Sequence, residues 1–241
     1  MGVIQFLFLL HGYGDDEKGW TSKTKLESYT AGLPLIIVMP EAKNSWYVNS
    51  ETDPNSRYED YIVHDLPDYV NSHYLIDIKR EAIAGLSMGG YGALVLALRH
   101  PGKFQFVGDL SGAISVPGEI DSMLVHEFSP GPHPPLNIVM KSIIAAFGKN
   151  DNAFRDNHSV LSLLQQDKGR PLPYIFFMAT GIQDEFKWFI PIHHLFIDSL
   201  RADGAAYEYH ELPGYHNWKF WDMEIQPMLA RMEAIMKLQK P

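Results

Sequence analysis

The sequence contains no cysteine. That absence excludes a disulfide framework, a thiol nucleophile and a cysteine-ligated metal. Positive charge is also scarce: 20 Lys and Arg face 29 Asp and Glu, for a formal net charge of −9. Nucleic acids and anionic membranes are recognised by clustered Lys and Arg, so no nucleic-acid or membrane partner is expected. The apolar run at residues 3–10 is far shorter than the ~20 residues of a bilayer span. It is broken by Gln5, has no basic stretch before it and runs directly into His11 and Gly12. It therefore reads as a buried strand rather than a signal peptide, and the protein as cytoplasmic. Metal-ligand spacing is missing as well. His193 and His194 are adjacent and point to different faces of a helix, and Asp15, Asp16 and Glu17 have no accompanying ligands. No metal is expected.

What is present is an alternating series of apolar segments in a chain of 241 residues, 46% of them hydrophobic. Residues 3–10, 35–39, 80–84, 104–110, 174–179 and 207–212 read as strands, most of them continuously apolar, as parallel strands covered on both faces should be. Between them lie helical patterns. Tyr58, Ile62, Leu66 and Val70 step by four along a stretch that Pro67 should kink. Phe189, Ile192, Leu195, Phe196 and Leu200 form a second apolar face, stopped by Asp203 and Gly204. A third runs from Trp218 and Trp221 through Ile225, Met228, Leu229, Met232, Ile235 and Met236. The alternation predicts one α/β domain over residues 1–241 with a mostly parallel sheet of about six strands. One connection is too long for a simple crossover. Residues 111–164 hold a Pro-rich piece at 129–135, helical patches at 138–147 and 160–165, and a polar loop at 148–158. This block reads as an insertion over the strand ends that shapes the pocket, with a surface excursion as the competing role.

The organising stretch is residues 83–93, I-A-G-L-S-M-G-G-Y-G-A, which places Ser87 between Gly85 and Gly89. A serine attacks a carbonyl only if its hydroxyl projects clear of the backbone beside a base. A sharp strand-to-helix turn achieves this and leaves no room for side chains two positions to either side. Chance alone would supply a G-x-S-x-G string in roughly one chain of this length in ten. Context raises its weight: a short strand precedes it, and Tyr91, Leu94, Val95 and Leu98 follow at helical spacing.

Ligands of a parallel sheet collect at the carboxyl ends of the strands. The loops there supply a set: His11 to Gly14 after the first strand, Ser45, Trp46 and Tyr47 after the second, Asp184 after the fifth and His216 after the sixth. A serine of ordinary pKa needs an imidazole to take its proton and a carboxylate to orient that imidazole. Of the 11 histidines, His210 lies inside the last strand, His193 and His194 within a helix, and His11 before the glycine turn. Only His216 sits in a glycine-containing loop after the last strand. Asp184 is the candidate acid and adjacent Glu185 the alternative. The oxyanion of a tetrahedral intermediate needs amide donors, for which Met88 and Tyr13 stand in the right places. His11 reads as a brace for the turn. Trp20, Trp46 and Tyr47 are candidate substrate-binding aromatics, with core packing as the competing role.

These motifs resemble the esterase D-like branch of the α/β-hydrolases: L-L-H-G-Y at 9–13, V-M-P at 38–40, S-W-Y at 45–47, residues 61–66, A-G-L-S-M-G-G-Y-G-A at 84–93, G-I-Q-D at 181–184 and G-Y-H at 214–216. S-W-Y is most similar to the tributyrin-type carboxylesterases. The resemblance implies a cofactor-independent serine carboxylesterase acting on short-chain or small aromatic esters of feruloyl or acetyl type, with Ser87, Asp184 and His216 at the triad positions. Acyl transfer on the same triad, or a non-catalytic hydrolase-like binder, are the alternatives. Two departures stand out. S-formylglutathione hydrolases carry threonine and cysteine after the His-Gly turn, whereas this chain has Gly14 and Asp15, which points away from that activity. The family also has two further strands before the His-Gly strand, which here begins almost at Met1. In the family's strand order their absence leaves residues 35–39 at an open apolar edge. A homo-oligomer that covers this edge, or reduced stability, is the expected consequence.

Overall fold

The computed structural model describes residues 4–74, 76–117, 136–149, 153–166, 168–169, 172 and 174–237. Six strands form one sheet in the order β2-β1-β3-β4-β5-β6. They are β1 (Ile4–Leu10), β2 (Leu35–Val38), β3 (Ile76–Leu86), β4 (Phe104–Leu110), β5 (Ile175–Gly181) and β6 (Tyr207–Leu212). Every pairing is parallel, so all six carboxyl ends open on the same side.

Helices cover both faces, which is why the inner strands carry so few polar residues. Alternate residues of β1 show the division. Phe6, Phe8 and Leu10 belong to one cluster with Leu94, Val95 and Phe196, and Leu7 and Leu9 to the other with Trp20, Ile225 and Met228. The first cluster is covered by α4 (Leu66–His73), α5 (Met88–Arg99), α8 (Val160–Gln166) and α9 (Phe189–Ala202). The second is covered by α1 (Gly19–Lys23), α2 (Leu26–Thr30) and α10 (Trp218–Met236). Fully burying each such aromatic or aliphatic side chain contributes about 1.5–3 kcal/mol, which is what holds the layers together.

Three expectations change in detail. β3 begins well before residues 80–84, because Ile4 pairs with Ile76 ahead of a register shift, in a stretch whose polar residues hide it from an apolar pattern. The helix read through residues 58–70 is interrupted: α3 (Tyr58–Asp60) passes into a π-helical turn (Tyr61–Asp65) before α4 begins. Pro67 lies in the first turn of α4 and has no N–H for a helical bond to Val63, so the chain widens its register rather than simply kinking. Within residues 111–164, α6 (Leu136–Phe147) and α8 match the expected helical patches. The polar loop at 148–158 instead contains a one-turn helix, α7 (Ala153–Asp156), fixed by stacking of Phe154 on His158 and by Arg155 donating to the Gly148 carbonyl at 2.9 Å. The Pro-rich piece at 129–135 lies outside the described residues. β2 pairs with β1 alone among the described strands, as the edge argument requires, and its four residues are half-buried.

Candidate active site

Ser87 closes β3 and caps α5 with φ 52° and ψ −114°, a conformation that costs a non-glycine residue energy and lifts its side chain out of the turn. The flanking glycines are dictated by contact. A Cβ at Gly85 would lie 2.4 Å from the Gly89 backbone, and one at Gly89 would lie 2.5 Å from the Leu10 carbonyl oxygen. The turn is held by Ser87 N donating to the Leu110 carbonyl at 3.0 Å and by Ala113 N donating to the Ser87 carbonyl at 3.1 Å.

The loops after β5 and β6 bring the acid and the imidazole to it. Ser87 Oγ lies 2.9 Å from His216 Nε2, and His216 Nδ1 lies 2.8 Å from Asp184 Oδ2. Ser87 O–H donates to Nε2 and Nδ1–H donates to the carboxylate. Asp184 is buried, and its other oxygen accepts from Phe186 N at 2.9 Å. Glu185 does not approach the ring. Its carboxylate accepts from the backbone N of His216 at 3.0 Å and so fixes the loop rather than the imidazole. Gln183 joins the two loops, its side chain accepting from Gly214 N at 2.6 Å. The His216 ring is enclosed by aromatic neighbours: Phe186 at 4.8 Å, Trp221 at 5.0 Å and Phe189 at 5.5 Å between centroids, each close to perpendicular.

Around these residues lies a cavity of about 380 Å³. Tyr13, Trp46, Ser87 and His216 line it. Met88 is the first residue of α5, so its amide has no partner within the helix. Of the three aromatics considered for the pocket, only Trp46 reaches it. Trp20 and Tyr47 are fully buried behind the wall, where Trp20 Nε1 donates to the Leu10 carbonyl at 3.1 Å and Tyr47 O–H to the His11 carbonyl at 2.9 Å. Both brace the turn after β1, because the main-chain carbonyls there need donors once buried. Burial pushes the Tyr47 phenol well above its ordinary pKa of 10.0, so it remains a donor at physiological pH. His11 completes the brace. Its Nε2 accepts from Ala42 N at 3.1 Å, which places the ring proton on Nδ1, 2.8 Å from the Gly12 carbonyl.

The aromatic wall is formed instead by Phe186, Trp188, Phe189, Trp218 and Trp221. By helical spacing Phe189, Trp218 and Trp221 belong to apolar helix faces. Their placement at the first turns of α9 and α10, next to Asp184 and His216, is the signal for this wall in the sequence. Ala113, Ser115, Val116 and Val139 from the block after β4 line the cavity as well. A larger, more open groove of about 780 Å³ is lined by polar residues such as Arg57, Asp65 and Ser142, and includes neither Ser87 nor His216. Among the described residues, no group of three or more His, Asp or Glu side chains could hold a metal ion, and no helix is long and apolar enough to cross a membrane.

The geometry is matched by kinship. The family model "Putative esterase" matches residues 2–232. An acetyl esterase of Caldicellulosiruptor saccharolyticus is 25% identical over 239 residues, spanning 96% of this chain and 84% of its own. The substrate-bound fluorophosphonate-binding serine hydrolase F of Staphylococcus aureus aligns with a TM-score of 0.78 at 27% identity, over 96% of this chain and 84% of its own. The S-formylglutathione hydrolase of the same organism, as apoenzyme, aligns with a TM-score of 0.73 at 27% identity, over 96% and 85%. The chain belongs to the Putative esterase family and is a serine hydrolase of ester bonds on the α/β-hydrolase fold.

Proposed function

We propose that Ser87 is the nucleophile, His216 the general base and acid, and Asp184 the residue that orients the imidazole, in a carboxylesterase for short-chain or small aromatic esters. The observation that carries this reading is the unbroken hydrogen-bond sequence from Ser87 Oγ through His216 to Asp184 at the wall of the aromatic cavity. Ser87 attacks the ester carbonyl as Nε2 takes its proton. The oxyanion is held by the amides of Met88 and Tyr13, whose loop is braced by His11, Trp20 and Tyr47. The imidazolium, stabilised by Asp184, returns the proton to the leaving alcohol. Water then repeats the sequence on the acyl-enzyme, releasing the acid and restoring Ser87. Each step uses side chains and backbone amides alone, and no cofactor enters it.

Residues 1–241 act as a single domain in this reading, with the 111–164 insertion shaping the pocket. Ala113, Ser115, Val116 and Val139 on the cavity wall support that role. Trp46 is the substrate-contacting aromatic of the segment after β2. A cavity of about 380 Å³ falls at the small end of the usual ligand-pocket range, about 300–1,000 Å³, and suits a compact ester. A cytoplasmic location belongs to this reading: the residues read as a strand near the start form β1, between β2 and β3 in the sheet. The open β2 edge supports a homo-oligomer, which light scattering would detect as a mass above one chain.

The test is a substrate panel of p-nitrophenyl acyl esters, methyl ferulate, acetylated sugars and S-formylglutathione, run beside a fluorophosphonate probe. Esterase activity with stoichiometric labelling of Ser87 is the expected result. Activity without labelling of Ser87 would remove the mechanism, and labelling without turnover of any ester would remove the substrate class.

A further inference from the structure

A second aspartate–histidine pair lies one strand away from the first and has no part in the steps above. Asp109, on β4, and His193, on α9, are both 0% exposed, and Asp109 Oδ2 lies 2.8 Å from His193 Nε2. His193 Nδ1 lies 2.7 Å from the Phe189 carbonyl oxygen, and Tyr209 stacks on the ring at 5.7 Å. Both partners of the ring are acceptors, so two protons fill the two hydrogen bonds and the pair is held as a proton-bridged, net-neutral unit. Such a pair contributes little stability beyond apolar packing of the same volume. What it does supply is direction: two short bonds that lock β4 to the first turn of α9.

Both ends of that lock reach the reacting groups. The other carboxylate oxygen, Asp109 Oδ1, is buried without a hydrogen-bond partner against two glycines. A Cβ at Gly90 would come within 2.2 Å of it, and one at Gly112 within 2.3 Å. Gly90 belongs to the helix that Ser87 begins. Gly112 lies between Leu110 and Ala113, the two residues whose backbone bonds hold Ser87. At the opposite end, Phe189 packs against His216 at 5.5 Å and stacks on Phe186, which itself touches His216 at 4.8 Å. The geometry points to Asp109 and His193 as positioning residues. Acting through Gly90 and Gly112 on one side and Phe189 on the other, they set the spacing across which Ser87 passes its proton to His216.

The inference rests on the nucleophile and base assigned above, and its test separates the two. Turnover is measured per site titrated with a fluorophosphonate, so that loss of folded protein does not count as loss of kcat. A displacement of 1 Å can cost up to about a hundredfold, and a looser linkage should displace less. Asp109→Asn and His193→Gln are therefore each expected to lower kcat per titrated site about tenfold on p-nitrophenyl acetate, with KM changed less than about twofold. The acid limb of the pH–rate profile should move to higher pH in both, because a loosened Phe186 and Phe189 enclosure admits water that stabilises the imidazolium. The double variant can restore one bond between two neutral amides and should recover about threefold over either single change. If both single variants keep kcat within about twofold of wild type and the acid limb stays in place, whatever their melting temperatures, the pair is only a packing feature. Should neither variant fold, the wild-type protein remains decisive. Two exchange-protected, downfield protons on the His193 bridge are required in its NMR spectrum, and their absence overturns the proposal. Failure of the probe to label wild-type Ser87 overturns the catalytic assignment instead.

Discussion

Two aspartate–histidine pairs of nearly equal length, Asp184–His216 and Asp109–His193, both at 2.8 Å, differ in what faces the second ring nitrogen. For His216 it is a serine hydroxyl at the wall of a cavity, and for His193 it is a backbone carbonyl in the sealed core. An imidazole facing a hydroxyl can take a proton and give it back. One facing a carbonyl can only hold the proton it has. The difference between the proposed catalytic base and the proposed brace therefore lies in the neighbouring acceptor or donor and its access to substrate, not in the pair. A third carboxylate–histidine group shows the other extreme. Glu59 accepts from Arg99 at 2.9 Å and His100 at 2.8 Å and lies 3.6 Å from His158, a cluster centred on a carboxylate that is only 4% exposed. The Arg99 guanidinium beside it keeps it ionised.

The contrast can be broken most severely at the proposed nucleophile. Ser87→Ala should lower kcat on p-nitrophenyl butyrate by on the order of 10⁶, by analogy with serine proteases. Retention of more than about a tenth of the activity would show that the hydroxyl facing His216 is not what distinguishes the first pair. Next comes its acid. Asp184→Asn should lower kcat by on the order of 10⁴, because the amide favours the wrong tautomer of His216. That is about a thousandfold more than the tenfold loss expected at Asp109, and equal losses at the two positions would erase the distinction. Glu185→Gln should sharpen it from the other side. Its carboxylate touches only the backbone of His216, so a loss of no more than about fivefold is expected, and a larger one would make Glu185 the working acid.

The Glu59 cluster should change stability rather than turnover. Burial pushes this carboxyl up, and the hydrogen bonds from His100 and Arg99, with His158 beside them at 3.6 Å, together outweigh it, leaving it below its ordinary 4.5. A depressed carboxylate contributes stability that is fully present above 4.5 and is lost as the pH falls below it. Glu59→Gln should therefore cost about 3 kcal/mol in denaturant melts at pH 7. The gap to wild type should narrow as the pH falls below 4.5, and a gap independent of pH would show that the charge contributes nothing.

The sequence carried the local parts of this protein. The spacing of glycines around Ser87 follows from backbone contacts within a few residues, and continuous apolar runs mark strands covered on both faces. Because all six carboxyl ends of a parallel sheet open on one side, the post-strand residues Asp184 and His216 could be named before any coordinates, and they lie within hydrogen-bond reach of one another and of Ser87. Tertiary structure decided what depends on which way a side chain turns once the layers pack. It sent Trp20 and Tyr47 behind the wall as donors to main-chain carbonyls and brought Phe186 and Trp221 onto His216. It also gave Glu185 a backbone amide instead of an imidazole, and joined Asp109 to His193 across 84 residues of chain. No periodicity encodes such pairings, because each is fixed by the meeting of elements far apart in sequence, where most buried polar groups are paired.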